Sequence, residues 1–217
     1  MQVKLLLFSD LHLDASFAGF RPRRHVASLR RQALRDTLRN IVSLAAREEV
    51  DALLCGGDLY EHAAFTDDTM RFVRGIFAEL NPVPVYIAPG NHDWLGKASL
   101  YERANWTPNV HVFESRGLTP VSLSDGLTLW GTAHCVPAGT PGFRDGLRVD
   151  WDGMPLALFH GSECDRRRPR SDPPPRDGRQ HPGLTARWQS DKAPMDRLAT
   201  LDAGSGQRSS RSGRTGV

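Results

Sequence analysis

The chain of 217 residues has few cysteines, and none of them lies close to another in the sequence. Its three cysteines, Cys55, Cys135 and Cys164, show no paired spacing, and an odd number does not favour a disulfide framework. We therefore expect a reducing compartment, the cytoplasm. No apolar run approaches the length of a membrane span, and the run that ends at Phe8 is too short for a signal peptide. These absences argue against a disulfide-rich secreted domain and predict no membrane partner.

The last quarter of the chain has very few large apolar residues. From residue 165 onwards there are eleven Arg and six Pro but no Phe, Tyr or Ile. This segment carries 12 Lys and Arg against 6 Asp and Glu, whereas residues 1–164 carry 16 against 19. Such a composition cannot bury enough apolar surface to offset the entropy lost on ordering. We predict an incomplete α/β domain over residues 1–164 and a disordered, basic tail over residues 165–217.

Apolar runs alternate with helical patterns in the first half of the chain. Runs at 3–8, 51–55 and 83–88 predict buried strands, and apolar residues at helical spacing over 24–49 and 66–80 predict helices between them. This βαβαβ order predicts a parallel sheet.

Shorter apolar runs separated by glycine and proline follow residue 109. They lie at 110–113, 118–123, 127–130 and 155–159. Asp125-Gly126 is a typical hairpin turn between two of them. We expect mainly antiparallel strands here, forming a second sheet that packs on the first.

Polar side chains follow the predicted strands at four places. The motifs are Asp10-Leu11-His12, Gly57-Asp58, Asn91-His92-Asp93 and, after the run 155–159, His160. Because open α/β sheets place their sites at the carboxyl ends of strands, we expect these side chains to converge. Carboxylate, imidazole and amide oxygen groups together suit a divalent metal.

The interpretation of each motif depends on the others. Asp10 and His12 are two residues apart, which on an extended chain directs both to one side. Asp58 can bridge two cations, while His92 would stay free to act on substrate, with Asp93 fixing its tautomer by a hydrogen bond. Singly, each motif is also compatible with an ordinary polar turn or a structural histidine, and their joint occurrence favours a metal site.

In this order the motifs resemble those of the calcineurin-like metallophosphoesterase family, whose pattern is D-x-H, G-D-x, G-N-H-[DE], H and G-H-x-H. Four of these five blocks occur within residues 1–164. The flanking residues, in Ser9-Asp10-Leu11-His12-Leu13-Asp14 and Gly57-Asp58-Leu59-Tyr60, are similar to those of the bacterial DNA-repair exonuclease branch, the SbcD-like nucleases. The resemblance implies a two-sheet βαβ sandwich with flanking helices.

The resemblance also implies a role for each residue. The first metal would be bound by Asp10 and His12, the second by Asn91 and His160, and both by Asp58, with His92 as the acid or transition-state stabiliser and Asp93 beside it. The implied cofactors are two divalent ions, for which we expect Mn²⁺, with Fe or Zn²⁺ as alternatives. The implied substrate is a phosphoester, DNA in the exonuclease branch, and that branch also implies an ATPase partner subunit.

The fifth block, Gly-His-x-His, does not occur after His160. The one later histidine, His181, lies in the Arg/Pro-rich tail. We therefore expect fewer protein ligands for each metal and a sheet without its last strands. Three hypotheses follow: an active two-metal phosphodiesterase or nuclease, an impaired truncated or frame-shifted product of such a gene, or a non-enzymatic protein that binds nucleic acid through its basic tail.

Overall fold

The computed structural model describes residues 2–16, 24–137, 154–161 and 197–202. The elements in these ranges are β1 (Gln2–Phe8), α1 (Arg24–Arg47), β2 (Ala52–Cys55), α2 (Asp67–Ala78), β3 (Val85–Ile87), α3 (Leu100–Arg103), β4 (Val110–Val112), β5 (Thr119–Ser124), β6 (Leu127–Gly131), β7 (Met154–Leu158) and β8 (Arg197–Asp202). The predicted α/β class with two sheets and flanking helices is confirmed.

The first sheet has five strands in the order β4-β3-β2-β1-β8. Strands β1, β2 and β3 run parallel to one another, as the βαβαβ order predicts, and β4 is also parallel to β3. Helix α2 begins after Thr66, whose side chain accepts a hydrogen bond from the amide of Thr69. Because the strands are parallel, the loops after β1, β2 and β3 meet at one edge of this sheet.

The second sheet has three strands in the order β5-β6-β7. Strands β5 and β6 form the predicted antiparallel hairpin, and Gly126 in its turn has a φ of 75°. The expectation of mainly antiparallel strands is wrong for the other two runs. Strand β4 joins the first sheet parallel to β3, and β7 pairs parallel with β6. Neither strand follows its partner through a short turn: α3 lies between β3 and β4, and residues 132–153 separate β6 from β7 in the sequence, so parallel pairing is possible.

Alternate residues of the first sheet face two separate cores. Leu6, Phe8, Leu53 and Cys55 pack with apolar residues of α1 and α2, such as Phe77. Their neighbours, including Leu5 and Leu54, pack instead with Leu129 and Leu156 of the second sheet. The layers are therefore helices, first sheet and second sheet.

The predicted tail contributes one strand to the described structure. Strand β8 pairs antiparallel with β1, from Gln2 opposite Asp202 to Leu7 opposite Arg197. This strand covers the β1 edge that the sequence predicts to be open. The domain boundary at residue 164 and the disorder of the tail stay predictions, because 162–196, with Cys164 and His181, and 203–217 lie outside the described residues. Among the helices that are described, none is long and apolar enough to cross a membrane.

Candidate metal centre

The side chains predicted to bind the first metal lie together at the edge where the parallel strands end. Asp10, His12 and Asp58 each place one ligand atom within 4.8 Å of the other two. Asp10 follows β1 after Ser9, and Asp58 follows β2 after two glycines. The convergence predicted from the motifs is therefore present in the structure.

The backbone that carries these ligands is not extended, as the sequence analysis assumed. Asp10, His12 and Asp58 have φ values of 58°, 50° and 53°. Such left-handed conformations are uncommon for residues other than glycine and concentrate at functional sites. Hydrogen bonds between the two loops hold them, since the amides of Asp10 and His12 donate to the carbonyls of Gly57 and Asp58 at 3.0 and 2.9 Å. The residue between the two ligands, Leu11, is buried and anchors this loop.

Asp58 is the centre of the cluster and is almost fully buried. Its Oδ2 lies 3.2 Å from His160 Nε2 and 3.7 Å from His12 Nε2. Its Oδ1 accepts a hydrogen bond of 2.9 Å from the amide of His92. Burial alone would raise the pKa of Asp58, but hydrogen bonding and charge from His160 lower it below the usual range. One carboxylate oxygen thus faces two imidazole nitrogens, as a bridging ligand would.

His160 reaches the cluster from the second sheet, at the end of β7. Its Nδ1–H donates a hydrogen bond of 2.9 Å to the carbonyl of Gly56, so Nε2 is the nitrogen that faces Asp58. Burial alone would lower the pKa of His160, but the Asp58 carboxylate outweighs it and raises the pKa to about 9. Without a metal, a proton on Nε2 supplies the positive charge beside Asp58.

Two glycines leave room for this arrangement. A Cβ on Gly57, whose φ is +94°, would lie 2.8 Å from the carbonyl of Ala88 and from His160 Nδ1. A Cβ on Gly90 would overlap Asp58 Oδ1 and lie 2.7 Å from the Asp58 amide. Larger residues at these positions would displace Asp58 and His160.

His92 lies beside the cluster with a side chain that is 47% exposed. Its Nδ1 lies 3.1 Å from an oxygen of Glu61, whose other oxygen lies 2.9 Å from His12 Nδ1. The hydrogen bond to Glu61, assisted by the charges of Asp58 and Asp93, raises the pKa of His92 above its ordinary value. The sequence analysis missed Glu61, although its position three residues after Asp58 in the same loop is a usable signal.

The predicted hydrogen bond between Asp93 and the His92 ring is wrong. The Asp93 carboxylate is fully buried and accepts from the amides of Gly90, Asp58 and Leu59 at 2.6, 3.1 and 2.7 Å, and from the Tyr101 hydroxyl. Burial raises the pKa of Asp93, and the hydrogen bonds from Tyr101, Leu59 and Gly90 act in the opposite direction. Asp93 thus joins the loops after β2 and β3 because their amides are the donors within its reach.

The remaining candidates take different places. Asn91 is half-buried and directly precedes His92, whose amide donates to Asp58 Oδ1. His62 stacks on Trp94 with 3.8 Å between ring centroids. His134 donates from Nε2 to the carbonyl of His160 at 3.1 Å and so supports that residue.

The donor set fits divalent metal ions. It combines two carboxylates with two histidines whose Nδ1 atoms hydrogen-bond to protein oxygens, so that each Nε2 faces Asp58 and would bind a metal once deprotonated. Mixed oxygen and nitrogen donors suit Mn²⁺, Fe and Zn²⁺ alike.

Comparison with known proteins places the chain among phosphoesterases. A sequence model of calcineurin-like phosphoesterases matches residues 3–202. The uncharacterized metallophosphoesterase YhaO of Bacillus subtilis (strain 168) is 33% identical over 111 residues, which cover 49% of this chain and 26% of YhaO. The match thus spans about a quarter of the length of this relative.

Proposed function

Because the chain belongs to the calcineurin-like phosphoesterase family, we propose that it hydrolyses phosphodiesters with divalent metal ions bound by Asp10, His12, Asp58, Asn91 and His160. The observation that carries the proposal is the position of Asp58 Oδ2, which faces His12 Nε2 and His160 Nε2 at 3.7 and 3.2 Å. Asp58 would supply this carboxylate, and His12 and His160 their Nε2 atoms, as ligands to divalent ions, which would polarise the phosphoester.

The metal ligands and His92 have separate roles in the proposed reaction. Two divalent ions held there would withdraw charge from the phosphoryl oxygens and acidify the attacking water. Glu61 holds His92 by Nδ1, which leaves Nε2 of this exposed ring to donate a proton to the leaving oxygen. The raised pKa of His92 keeps more of it protonated near neutral pH.

We further propose DNA as the substrate, in an exonuclease reaction of the SbcD-like kind, with Mn²⁺ as the metal. This rests on the residues around the Asp10 and Asp58 motifs, which resemble that branch. The ATPase partner subunit is proposed on the same resemblance. The cytoplasm is proposed as the compartment, because both described cysteines, Cys55 and Cys135, are free thiols.

The substitution Asp58→Asn tests the metal centre. Asparagine keeps the shape of the side chain but removes its charge, so metal binding and hydrolysis should be lost together. Binding is measured by Mn²⁺ calorimetry, and hydrolysis with bis(p-nitrophenyl) phosphate. The control is Asp125→Asn in the exposed β5–β6 turn, which should match the wild type. Full Mn²⁺-dependent activity of Asp58→Asn would contradict the proposal.

The substrate is tested separately with two DNA forms. An exonuclease should degrade linear duplex DNA and leave covalently closed circular DNA intact. If the protein hydrolyses the small phosphodiester but neither DNA form, the DNA proposal fails while the hydrolase proposal stands.

A further inference from the structure

His134 follows β6, is almost fully buried, and contacts both the loop after β3 and the end of β7. Its amide donates to the carbonyl of Pro89 at 2.9 Å, and its carbonyl accepts from the amide of Leu95 at 2.7 Å. Its ring Nε2 lies 3.1 Å from the carbonyl oxygen of His160. We infer that His134 is a positioning residue for the second ion, because it links the loop that carries Asn91 to the backbone of His160. This inference rests on the proposed function.

The parallel pairing of β6 with β7 brings the two histidines together. Gly131 lies opposite Leu158 in the register, so both strands end at the same edge of the second sheet. His134 lies three residues after β6, and His160 lies two residues after β7. Their rings meet at 75°, with 5.8 Å between the centroids. The contact therefore depends on the pairing of the strands and not on a local sequence motif.

The backbone that carries the His134 ring is held on both sides. The preceding residues, Thr132 and Ala133, are buried, and their amides donate to the carbonyls of Leu158 and Ser115 at 3.3 and 2.7 Å. The backbone bonds of His134 itself reach both ends of the loop after β3. The ring therefore approaches the end of β7 from a fixed backbone.

The contact with His160 also fixes the tautomer of the His134 ring. A backbone carbonyl only accepts hydrogen bonds, so Nε2 of His134 carries the hydrogen. The other ring nitrogen, Nδ1, is buried and has no hydrogen-bond partner within the part of the chain that the structure describes. A buried polar atom without a partner costs free energy, which an apolar ring would avoid. The cost favours a role for the Nε2–H donor.

That role concerns the direction in which the His160 side chain leaves its backbone. The donor from His134 holds the carbonyl of His160, and the His160 ring is held in turn by its Nδ1–H bond of 2.9 Å to the carbonyl of Gly56. Nε2 of His160 then faces Asp58 Oδ2 at 3.2 Å. The ligands proposed for the first ion follow strands of the other sheet. Loss of the donor should therefore weaken the second ion selectively.

His134 could alternatively bind an ion itself. Its Nε2 would then have to exchange the carbonyl of His160 for a cation. However, His134 belongs to neither of the compact groups of possible ligands that the described residues form. Positioning is therefore favoured, and it predicts a changed affinity for one ion at an unchanged number of ions.

The test compares His134→Phe with His134→Gln in the full chain. Phenylalanine keeps a ring of similar size without a donor, whereas glutamine places an amide donor near the position of Nε2. The control is His111→Phe, at an exposed histidine of β4.

The first measurement uses the metal-free protein. In ¹⁵N spectra of the histidine rings, the Nδ1–H of His160 should exchange with water faster in His134→Phe than in the wild type. His134→Gln and the control should exchange like the wild type. Amides of β2 should keep their wild-type exchange in all variants, which separates a local change from a global loss of stability.

The second measurement is Mn²⁺ calorimetry with steady-state kinetics. His134→Phe should bind the second ion on the order of 10–100-fold more weakly, with unchanged affinity for the first ion, unchanged stoichiometry and a lower kcat. His134→Gln should restore the affinity and kcat. If His134→Phe does not fold, His134→Asn, whose amide is too short to reach the carbonyl of His160, should show the same losses.

Four outcomes would overturn the inference. They are wild-type ring exchange and affinities in His134→Phe, an equal weakening of both ions, the absence of rescue by glutamine, and the loss of one bound ion at saturating metal, which would make His134 a ligand. A wild type without metal binding or activity would refute the proposed function, while the ring exchange of His160 would still decide the role of His134.

Discussion

At the scale of single residues, the chemistry of the centre depends on which nitrogen of each histidine faces it. His12, His92 and His160 all use Nδ1 for a contact within the protein, to Glu61 or to the carbonyl of Gly56. The sequence predicts that these histidines follow strands or lie near their ends. It does not predict these tautomers, because the deciding partners lie far along the chain: 104 positions separate His160 from Gly56.

The role of His92 as an acid can be separated from metal binding. His92→Gln removes the transferable proton but no predicted metal ligand, so Mn²⁺ stoichiometry should persist while kcat falls by on the order of 10²–10⁴. Calorimetry and steady-state kinetics measure the two effects. His111→Gln, at an exposed histidine of β4, is the control and should behave like the wild type. An equal loss of metal would instead assign His92 as a ligand.

At the scale of strands, helices and loops, local patterns predicted the elements better than their partners. The strand ends that carry the ligands were predicted, but the parallel pairing of β4 and β7 was not, because a crossover rather than a local motif decides it. Helix α3 was missed, although Ser99 and Glu102 form a typical start, with the Ser99 hydroxyl accepting from the Glu102 amide.

Two glycine substitutions should have opposite effects, because one glycine lies against Asp58 and the other lies in open space. Gly90→Ala should weaken Mn²⁺ binding and lower stability, because its Cβ would overlap Asp58. Gly75→Ala, in α2, has no heavy atom within 4 Å of the added Cβ and should stabilise the protein by about 0.5–1 kcal/mol. Thermal denaturation and metal calorimetry measure both. Wild-type metal affinity in Gly90→Ala would contradict the close approach.

The hydrogen bonds of Asp93 predict that the loops after β2 and β3 depend on one carboxylate. Asp93→Asn would place an amide donor against backbone donors, and we expect a loss of stability on the order of 3 kcal/mol. Tyr101→Phe removes one donor and should cost less. Urea unfolding measures both, with Asp125→Asn as the control. A loss in Asp93→Asn no larger than that of the control would contradict this role.

At the scale of the whole molecule, the tail is where sequence reasoning was least complete. Its composition predicts disorder, yet β8 pairs along the length of β1. Composition reports how much apolar surface a segment can bury, whereas an added edge strand gains backbone hydrogen bonds that composition does not reveal. The two-layer packing of the sheets, by contrast, followed from the apolar runs.

The β8 pairing is tested by a chain that ends at Gly161. Removing β8 leaves one edge of β1 unpaired, so the amides of β1 that face β8 should exchange hydrogen faster than in the full chain. Amides of β3, which lies between β2 and β4, should be less affected and serve as the internal control. Equal protection of β1 in both chains would mean that β8 is not paired in solution.

The centre joins the two sheets, because His160 follows a strand of the second while Asp10 and Asp58 follow strands of the first. An ion held by all three would add a further link between layers that are also joined by apolar packing and by the hydrogen bond from His160 to Gly56. Folding and ion uptake would then be thermodynamically linked, so that free ion at 100 times its Kd adds about 2.7 kcal/mol to the free energy of unfolding. The melting temperature would therefore report ion occupancy in the absence of any substrate.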